Sequence, residues 1–289
     1  MTRPITVGVD GSPESVAAAA WAGREAVRRG LPLRIVHAWH WEPYEIVPAA
    51  DRDAQARWAR ETAEGTRRTL TECHPELTVT AEALEGPPVE VLVEEAAAAE
   101  LVVLGSRGHG AVVGFLLGSV GRQVIAESAR PVVLVRSDDR AAAEAAGREI
   151  VVGQHGEPDD GAAALEFAFT TAAARGAAVR VVRAWTLPPV FAYSPASLKL
   201  LDEAGGLEPY ERKALDEALR PWRERFADVP VTEHVEMGSA GQVLLSAAAR
   251  AQLVVVGRHS SRVVGPRIGS VAHALVHHAP CPVAVVPPA

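Results

Sequence analysis

Short apolar runs rich in valine and isoleucine recur along the chain, and each is followed by a stretch with helix-start signals. In the first half these runs predict strands over residues 5–10, 33–39, 77–84, 101–105 and 132–135. Most are apolar throughout instead of alternating between apolar and polar residues. This pattern is typical of parallel strands that are buried on both faces.

Helices are predicted in the intervals between these strands. Ser12 and Pro13 have the residue types of an N-cap and a first-turn proline, and the helix that they begin continues to a break at residues 30–32. Further helices are predicted over residues 51–72, 86–99 and 119–128. Strict alternation of strand and helix predicts an α/β fold in which helices cover both faces of a parallel sheet.

The second half of the chain repeats the first. Gly8 aligns with Gly153, and Leu101–Gly105 aligns with Leu253–Gly257. The register holds over both halves with small insertions, which indicates a tandem duplication. We therefore predict a first repeat over residues 1–137, a polar, alanine-rich linker over residues 138–148, and a second repeat over residues 149–289.

Composition excludes several classes of protein. The net charge of −7 and the lack of a basic domain argue against a nucleic-acid partner, and the sequence has no apolar run long enough to cross a membrane. Cys73 and Cys281 are the only cysteines, too few for a disulfide framework or a metal cluster, and the chain begins without a signal-peptide core. These features predict a cytoplasmic protein. The only lysines are Lys199 and Lys213, so the first half has no Walker A lysine.

The candidate chemistry lies in a glycine-rich loop between the fourth strand and the last helix of the first repeat. Residues 101–119 read LVVLGSRGHGAVVGFLLGS. Glycines at 105 and 108 let backbone amides approach an anion, and Gly118 and Ser119 begin a helix whose free amides favour phosphate. In the second repeat the corresponding stretch, residues 253–270, is altered. One loop is intact and the other is degenerate.

Charged groups flank this loop. Arg107, His109 and Arg122 are nearby hydrogen-bond donors, whereas Asp10 follows the first strand and is better suited to a sugar or a base edge than to phosphate. Open parallel sheets bind ligands beyond the carboxyl ends of their strands, where the strand order reverses. A glycine after a parallel strand is also a common tight turn, so a purely structural role for this loop stays open.

The spacing G-x2-G-x9-G-[ST] formed by residues 105, 108, 118 and 119 resembles the ATP-binding branch of the universal stress protein family. The segments ITVGVDGSPES and IVHAW are also similar to this family, and the resemblance extends over both halves. It implies two tandem, open, parallel five-stranded sheets of Rossmann-like type, each with strand order 3-2-1-4-5. The switch point then lies between the strands that end at Asp10 and Gly105.

The resemblance also implies an ATP site in the first repeat. A Mg²⁺ ion can accompany the nucleotide, but the sequence shows no dedicated set of carboxylate ligands for it. Near the base and ribose it implies Gly8, Val9, Asp10, Ala38, Leu104 and Gly105. Around the phosphates it implies Gly108, Gly118, Ser119 and Val120. Arg107 is added to this site as a nearby donor, from the residues themselves and not from the resemblance.

The second repeat departs from the pattern because His155 replaces Asp10, Ser260 replaces Gly108, and Pro266 removes a backbone donor. We expect at most a weak second site there, formed by Gly257, Gly269 and Ser270. The resemblance further implies that the last strands of the two repeats, residues 132–135 and 283–286, pair as an internal pseudo-dimer. A homodimer and an unidentified regulatory protein stay open as further partners.

Three functions remain open from the sequence. The first is an ATP-binding regulatory protein of the stress response. The second is a slow ATP hydrolase in which Asp10 or His109 positions water and Arg107 binds phosphate. The third is a scaffold that binds no nucleotide. Other candidates are weaker. His273 and His277 have the i, i+4 spacing of a metal pair but no third ligand, and Trp41 is a candidate for the mouth of a pocket.

Overall fold

The computed structural model describes residues 2–41, 50–106, 118–137, 147–187, 206–258 and 268–288. Its contacts divide the chain into two compact units. The first unit comprises Met1–Ala141, Arg258–Ile268 and Pro282–Pro287. The second unit comprises Ala142–Gly257, Gly269–Cys281 and Pro288–Ala289. A strand from the end of the chain therefore lies with the first half.

In the part of the chain that the structure describes, the sheet of the first unit has six strands. In chain order they are β1 (Ile5–Gly8), β2 (Leu33–Trp39), β3 (Val79–Glu85), β4 (Leu101–Gly105), β5 (Val132–Val135) and β10 (Val283–Val286). Five of them lie in the order β3-β2-β1-β4-β5 and are parallel. The sixth, β10, pairs antiparallel with β5, so that Val283 faces Leu134. This pairing covers the edge that β5 would otherwise expose.

Among the described residues, four helices pack on this sheet. They are α1 (Pro13–Arg29), α2 (Ala50–Cys73), α3 (Pro88–Ala98) and α4 (Ser119–Glu127). Helix α1 begins where the Ser12 side chain accepts a hydrogen bond from the Ser15 amide, and it ends at Gly30, whose φ of 61° is left-handed. Trp21 on α1 and Ile35 on β2 are fully buried between the layers.

The described residues of the second unit contain four parallel strands in the order β8-β7-β6-β9. They are β6 (Ile150–Gly153), β7 (Val179–Trp185), β8 (Val231–Met237) and β9 (Leu253–Gly257). Its helices are α5 (Ala162–Arg175), α6 (Glu208–Arg225), α7 (Ala240–Ala248) and α8 (Ser270–His278). A short 3-10 turn, Pro158–Gly161, precedes α5.

The predicted α/β fold and the 3-2-1-4-5 order of the first repeat are confirmed. Three predicted strands have the bounds that the structure shows, namely Leu33–Trp39, Leu101–Gly105 and Val132–Val135. The first strand is shorter than predicted. It ends at Gly8 because the Asp10 carboxylate accepts a hydrogen bond from the Ser12 amide, which turns the chain. Among the described helices, none is long and apolar enough to cross a membrane.

Candidate functional site

A cleft of about 520 Å³ opens in the first unit where β1 and β4 end. Its volume lies within the range of about 300–1,000 Å³ that is usual for ligand pockets. Strand β1 pairs with β2 on one side and with β4 on the other, so the chain order reverses between β1 and β4. The cleft is therefore at the switch point of the sheet, where open α/β folds bind ligands.

Arg122, a predicted flanking donor, is not among the residues described as lining this cleft, but nine other residues predicted from sequence for the first-repeat site do line it. They are Gly8, Val9, Asp10, Ala38, Leu104, Gly105, Gly118, Ser119 and Val120. The other two, Arg107 and Gly108, lie outside the described residues, as does His109. The structure thus brings together residues from β2, from the ends of β1 and β4, and from the start of α4.

The sequence analysis missed several residues that also line the cleft. They are Ser12, Glu14, Ser15, Val36, Pro88, Leu92 and Gly121. A signal for two of them was present in the sequence, because Pro88 and Leu92 are one helical turn apart and share a face of α3. Without the crossover geometry, nothing in the sequence shows that this face meets the switch point.

The floor of the cleft is apolar and depends on a missing side chain. A Cβ on Gly8 would lie 2.6 Å from Leu104 Cδ2 and 3.1 Å from Leu92 Cδ2. Glycine therefore lets these two leucines approach β1 closely. Together with Val36 and Ala38 they form an apolar wall of the kind that takes a flat ring, because burying apolar surface favours binding.

Hydrogen bonds hold the carboxylate of Asp10 at the rim. The Ser12 amide donates to Asp10 Oδ1 over 3.0 Å, and the Ser12 hydroxyl donates to the same oxygen. Partial burial raises the pKa of Asp10, but hydrogen bonds from Ser12 and Ser15 and the nearby His37 outweigh this effect and leave the pKa lowered. Asp10 is therefore a fixed anion at neutral pH, suited to accept hydrogen bonds from hydroxyl groups.

His37 lies beside this carboxylate on β2. Its side chain is 3% exposed, its ring meets the Trp58 ring edge-on at a centroid distance of 5.1 Å, and its Nδ1 has no hydrogen-bond partner among the described residues. Burial lowers the pKa of His37, and the negative charge of Asp10 opposes this shift. The ring is consequently neutral at pH 7.

The start of α4 supplies donors to the opposite wall. Gly118 is the N-cap of this nine-residue helix, and no side chain of the described residues caps it. The first amides of a helix have no acceptor within the helix, and they carry the positive end of its dipole. Since residues 118–121 line the cleft, these amides are available to an anionic group bound there.

The equivalent region of the second repeat is organised differently. A Cβ on Gly257 would meet no atom within 4 Å, whereas one on Gly105 would clash with the backbone of Glu14. The helix that follows β6 begins only at Ala162, after the 3-10 turn. Gly269 and Ser270 do begin α8, as predicted. Ser260 and Pro266 lie outside the described residues.

An arginine also secures the loop of the second repeat that corresponds to the Asp10 loop. Arg183 Nη1 donates to Gln154 Oε1 and, over 2.9 Å, to the Gly156 carbonyl oxygen. Arg183 Nε donates to Glu211 over 2.6 Å. Arg183 aligns with His37. At this position the first repeat therefore has a neutral imidazole, and the second repeat has an ion-paired guanidinium.

Two further candidates from the sequence have a clear placement. Trp41 packs against the cluster of Trp39, Ala56 and Ala59. It is not among the residues that line the cleft, so its assignment to the pocket mouth was wrong. His273 and His277 are adjacent, with ring centroids 4.3 Å apart. Among the described residues, no group of three or more His, Cys, Asp or Glu is arranged to hold a metal ion.

Comparisons with known proteins agree with this architecture. The model of the universal stress protein family matches the chain twice, at residues 1–136 and 147–287. A universal stress protein of Mycobacterium bovis is 33% identical, with 97% of this chain and 96% of the relative covered. One of Mycolicibacterium smegmatis is also 33% identical, with coverage of 98% and 97%. The crystal structure of a universal stress protein from Archaeoglobus fulgidus has a similar fold, with a TM-score of 0.67 at 18% identity over 99% of this chain and 98% of that one.

Proposed function

The chain belongs to the universal stress protein family over both of its halves, and we propose that its first repeat binds an adenine nucleotide, ATP in particular. The observation that carries this proposal is the convergence of an apolar wall, a fixed carboxylate and an uncapped helix N-terminus on one cleft. These three features match the three parts of a nucleotide, which are a flat base, a sugar with hydroxyl groups and a chain of phosphates.

The base is proposed to lie against the apolar wall. Gly8, Val36 and Ala38 leave room for a ring between the strands and α3, and Leu92 closes the cavity from the helix side. Contact between the apolar wall and a ring of this size contributes to binding through the burial of apolar surface.

The sugar and phosphates are proposed to lie between Asp10 and the start of α4. The Asp10 carboxylate accepts hydrogen bonds from ribose hydroxyls, while the amides of Ser119 and Val120 and the Ser119 hydroxyl donate to phosphate oxygens. Arg107 and Gly108 are proposed to complete the phosphate site. For an accompanying Mg²⁺ ion, the described lining offers the carboxylates of Asp10 and Glu14.

Binding without efficient hydrolysis is the proposed activity. A general base works best when its pKa lies near the working pH. Asp10 has a lowered pKa and already accepts two hydrogen bonds from Ser12, so it is a poor base for activating water. Bound ATP would instead favour one of two conformational states of the protein, and a regulatory partner would recognise the surface of that state. The size of this effect is set by the difference between the affinities of the two states for ATP.

The division of labour between the repeats is part of the proposal. The first repeat, residues 1–137, holds the nucleotide, and the second, residues 149–289, keeps the glycines and serine of a degenerate loop. The sequence has only two cysteines, too few for a disulfide framework, so we propose that the protein is cytoplasmic and has a role in the stress response.

A paired set of variants tests this function. Gly118→Ala combined with Ser119→Ala adds a methyl group at the helix start and removes one hydroxyl donor. We expect ATP affinity, measured by equilibrium dialysis, to fall at least about tenfold, because one hydrogen bond to a charged group contributes about 1.5–3 kcal/mol. The matched control is Gly269→Ala with Ser270→Ala in the second repeat, which should leave affinity unchanged. Equal, negligible binding by wild type and both variants would support the scaffold alternative.

A further inference from the structure

Arg258 follows β9 at the position that Ser106 occupies after β4. The backbone of the two residues is equivalent, since the Ser106 amide donates to the Val135 carbonyl over 2.7 Å and the Arg258 amide donates to the Val286 carbonyl over 2.6 Å. Their side chains differ. The Ser106 hydroxyl stays on its own repeat and donates to the Val135 carbonyl over 3.2 Å, whereas the Arg258 side chain extends to α4.

The guanidinium of Arg258 caps the C-terminal end of α4. Its Nη1 donates to the Ile125 carbonyl over 2.6 Å and to the Ser128 carbonyl over 2.8 Å. Ile125 is in the last turn of the helix and Ser128 is its C-cap. Carbonyls at a helix C-terminus lack donors within the helix and carry the negative end of its dipole, so a cation stabilises this end. Burial lowers the pKa of Arg258, and these two carbonyls offset the cost of that burial.

The capped helix is the one whose other end lines the cleft. Helix α4 has nine residues, Ser119–Glu127, which corresponds to a length of about 14 Å. A helix of this length is marginal by itself, so its position depends on its tertiary contacts, which include those of Arg258 at its C-terminal end. Arg258 belongs to the first unit through these contacts, although the second half of the chain supplies it.

We propose, resting on the proposed nucleotide site, that Arg258 is a positioning residue for that site. By holding the C-terminal end of α4, it fixes the place where the amides at the opposite end, from Ser119 onward, meet the phosphates. Arg258 itself does not touch the nucleotide. The degenerate second repeat thereby contributes to binding in the first, which gives the duplication a role beyond covering a strand edge.

Three variants separate this role from a general effect on stability. Arg258→Met removes the donors but keeps much of the side-chain volume, and Arg258→Lys keeps a cation that can reach one carbonyl. The matched control is Arg180→Met in the second unit. It breaks the ion pair between Arg180 Nε and Glu149 Oε2, which are 2.7 Å apart. ATP affinity is measured by isothermal titration far below the unfolding temperature. We expect Arg258→Met to weaken binding about three- to tenfold, Arg258→Lys to fall between it and wild type, and Arg180→Met to bind like wild type.

Hydrogen exchange in the same proteins reports on the helix directly. We expect the amides of residues 122–127 to exchange about tenfold faster in Arg258→Met, with the amides of β7 unchanged. Unaltered ATP affinity in Arg258→Met, when wild type binds ATP, would overturn the inference even if the variant unfolds at a lower temperature. Failure of wild type itself to bind ATP would identify the proposed function as the part that is wrong.

Discussion

A side-chain carbon on Gly105 would lie 2.6 Å from the backbone carbonyl carbon of Glu14. Strand β4 therefore ends directly against the first turn of α1, and only glycine permits this approach. The contact also fixes two walls of the cleft relative to each other, because Gly105 and Glu14 both line it. Gly105 thus has a packing role that its place in a phosphate-binding pattern does not reveal.

Gly105→Ala should damage both stability and binding. The new methyl group would meet backbone atoms, which cannot move as a flexible side chain can, so either α1 or β4 must shift. We expect a loss of about 1–3 kcal/mol in the free energy of unfolding, in the range of overpacked cores, together with weaker ATP binding. Urea denaturation measures the stability and titration calorimetry measures the ATP affinity. If the variant has wild-type values for both, the close approach of Gly105 to Glu14 is not required for stability or for binding.

Gly65→Ala is the matched control for that substitution. Gly65 lies inside α2, and a Cβ there would meet no atom within 4 Å. Alanine favours the helix over glycine by about 0.5–1 kcal/mol, so the free energy of unfolding should rise by about that amount. ATP affinity should not change. Destabilisation in urea would contradict the placement of this face of α2.

His37 should make stability depend on pH below neutrality. Its pKa is below the ordinary value of 6.5 in the folded protein, so the unfolded chain takes up the proton first as the pH falls. The free energy of unfolding therefore decreases as pH falls from above 6.5 towards the folded-state pKa. Asp10 adds nothing in this window, because its lowered pKa places its own loss of stability below pH 3.8.

His37→Leu isolates this contribution. The variant lacks the titrating ring, while the other histidines are the same in both proteins. Denaturation at pH 7.5 and at pH 5.0 should show that wild type loses more stability between the two values than His37→Leu does. Equal losses would mean that the His37 ring is not held in its neutral form.

Arg183→Met should destabilise the second unit without affecting the nucleotide. The change leaves Glu211 and the buried side-chain oxygen of Gln154 without their donor, at a cost of about 2 kcal/mol. Arg212→Met, which breaks an exposed pair with Glu208, should change stability by less than about 0.5 kcal/mol. Guanidinium denaturation measures both, and similar values for the two variants would contradict an anchoring role for Arg183.

Sequence periodicity predicted the elements of the first repeat well because strand and helix signals there are local. The bounds of β2 and the cap at Ser12 depend only on neighbouring residues. The convergence of Asp10 with Gly118 was also predictable, since parallel strands bring their carboxyl ends to one edge of a sheet.

What the sequence did not reveal depends on contacts between distant segments. Leu92 reaches the floor of the cleft through a crossover helix, and Arg258 reaches Ser128 across 130 residues of chain. Neither residue stands out by type or spacing. The antiparallel pairing of β5 with β10 was implied by the resemblance to the family, and the structure shows it with Val283 facing Leu134.

The stoichiometry of ATP binding tests the central claim most directly. Isothermal titration of the full chain with ATP should give close to one site per chain, and Gly118→Ala with Ser119→Ala should abolish or strongly weaken that site. Two equivalent sites per chain would contradict the assignment of binding to the first repeat. No binding at concentrations of ATP up to about 1 mM, where a dissociation constant corresponds to a binding free energy of only about −4.1 kcal/mol, would contradict the nucleotide site altogether.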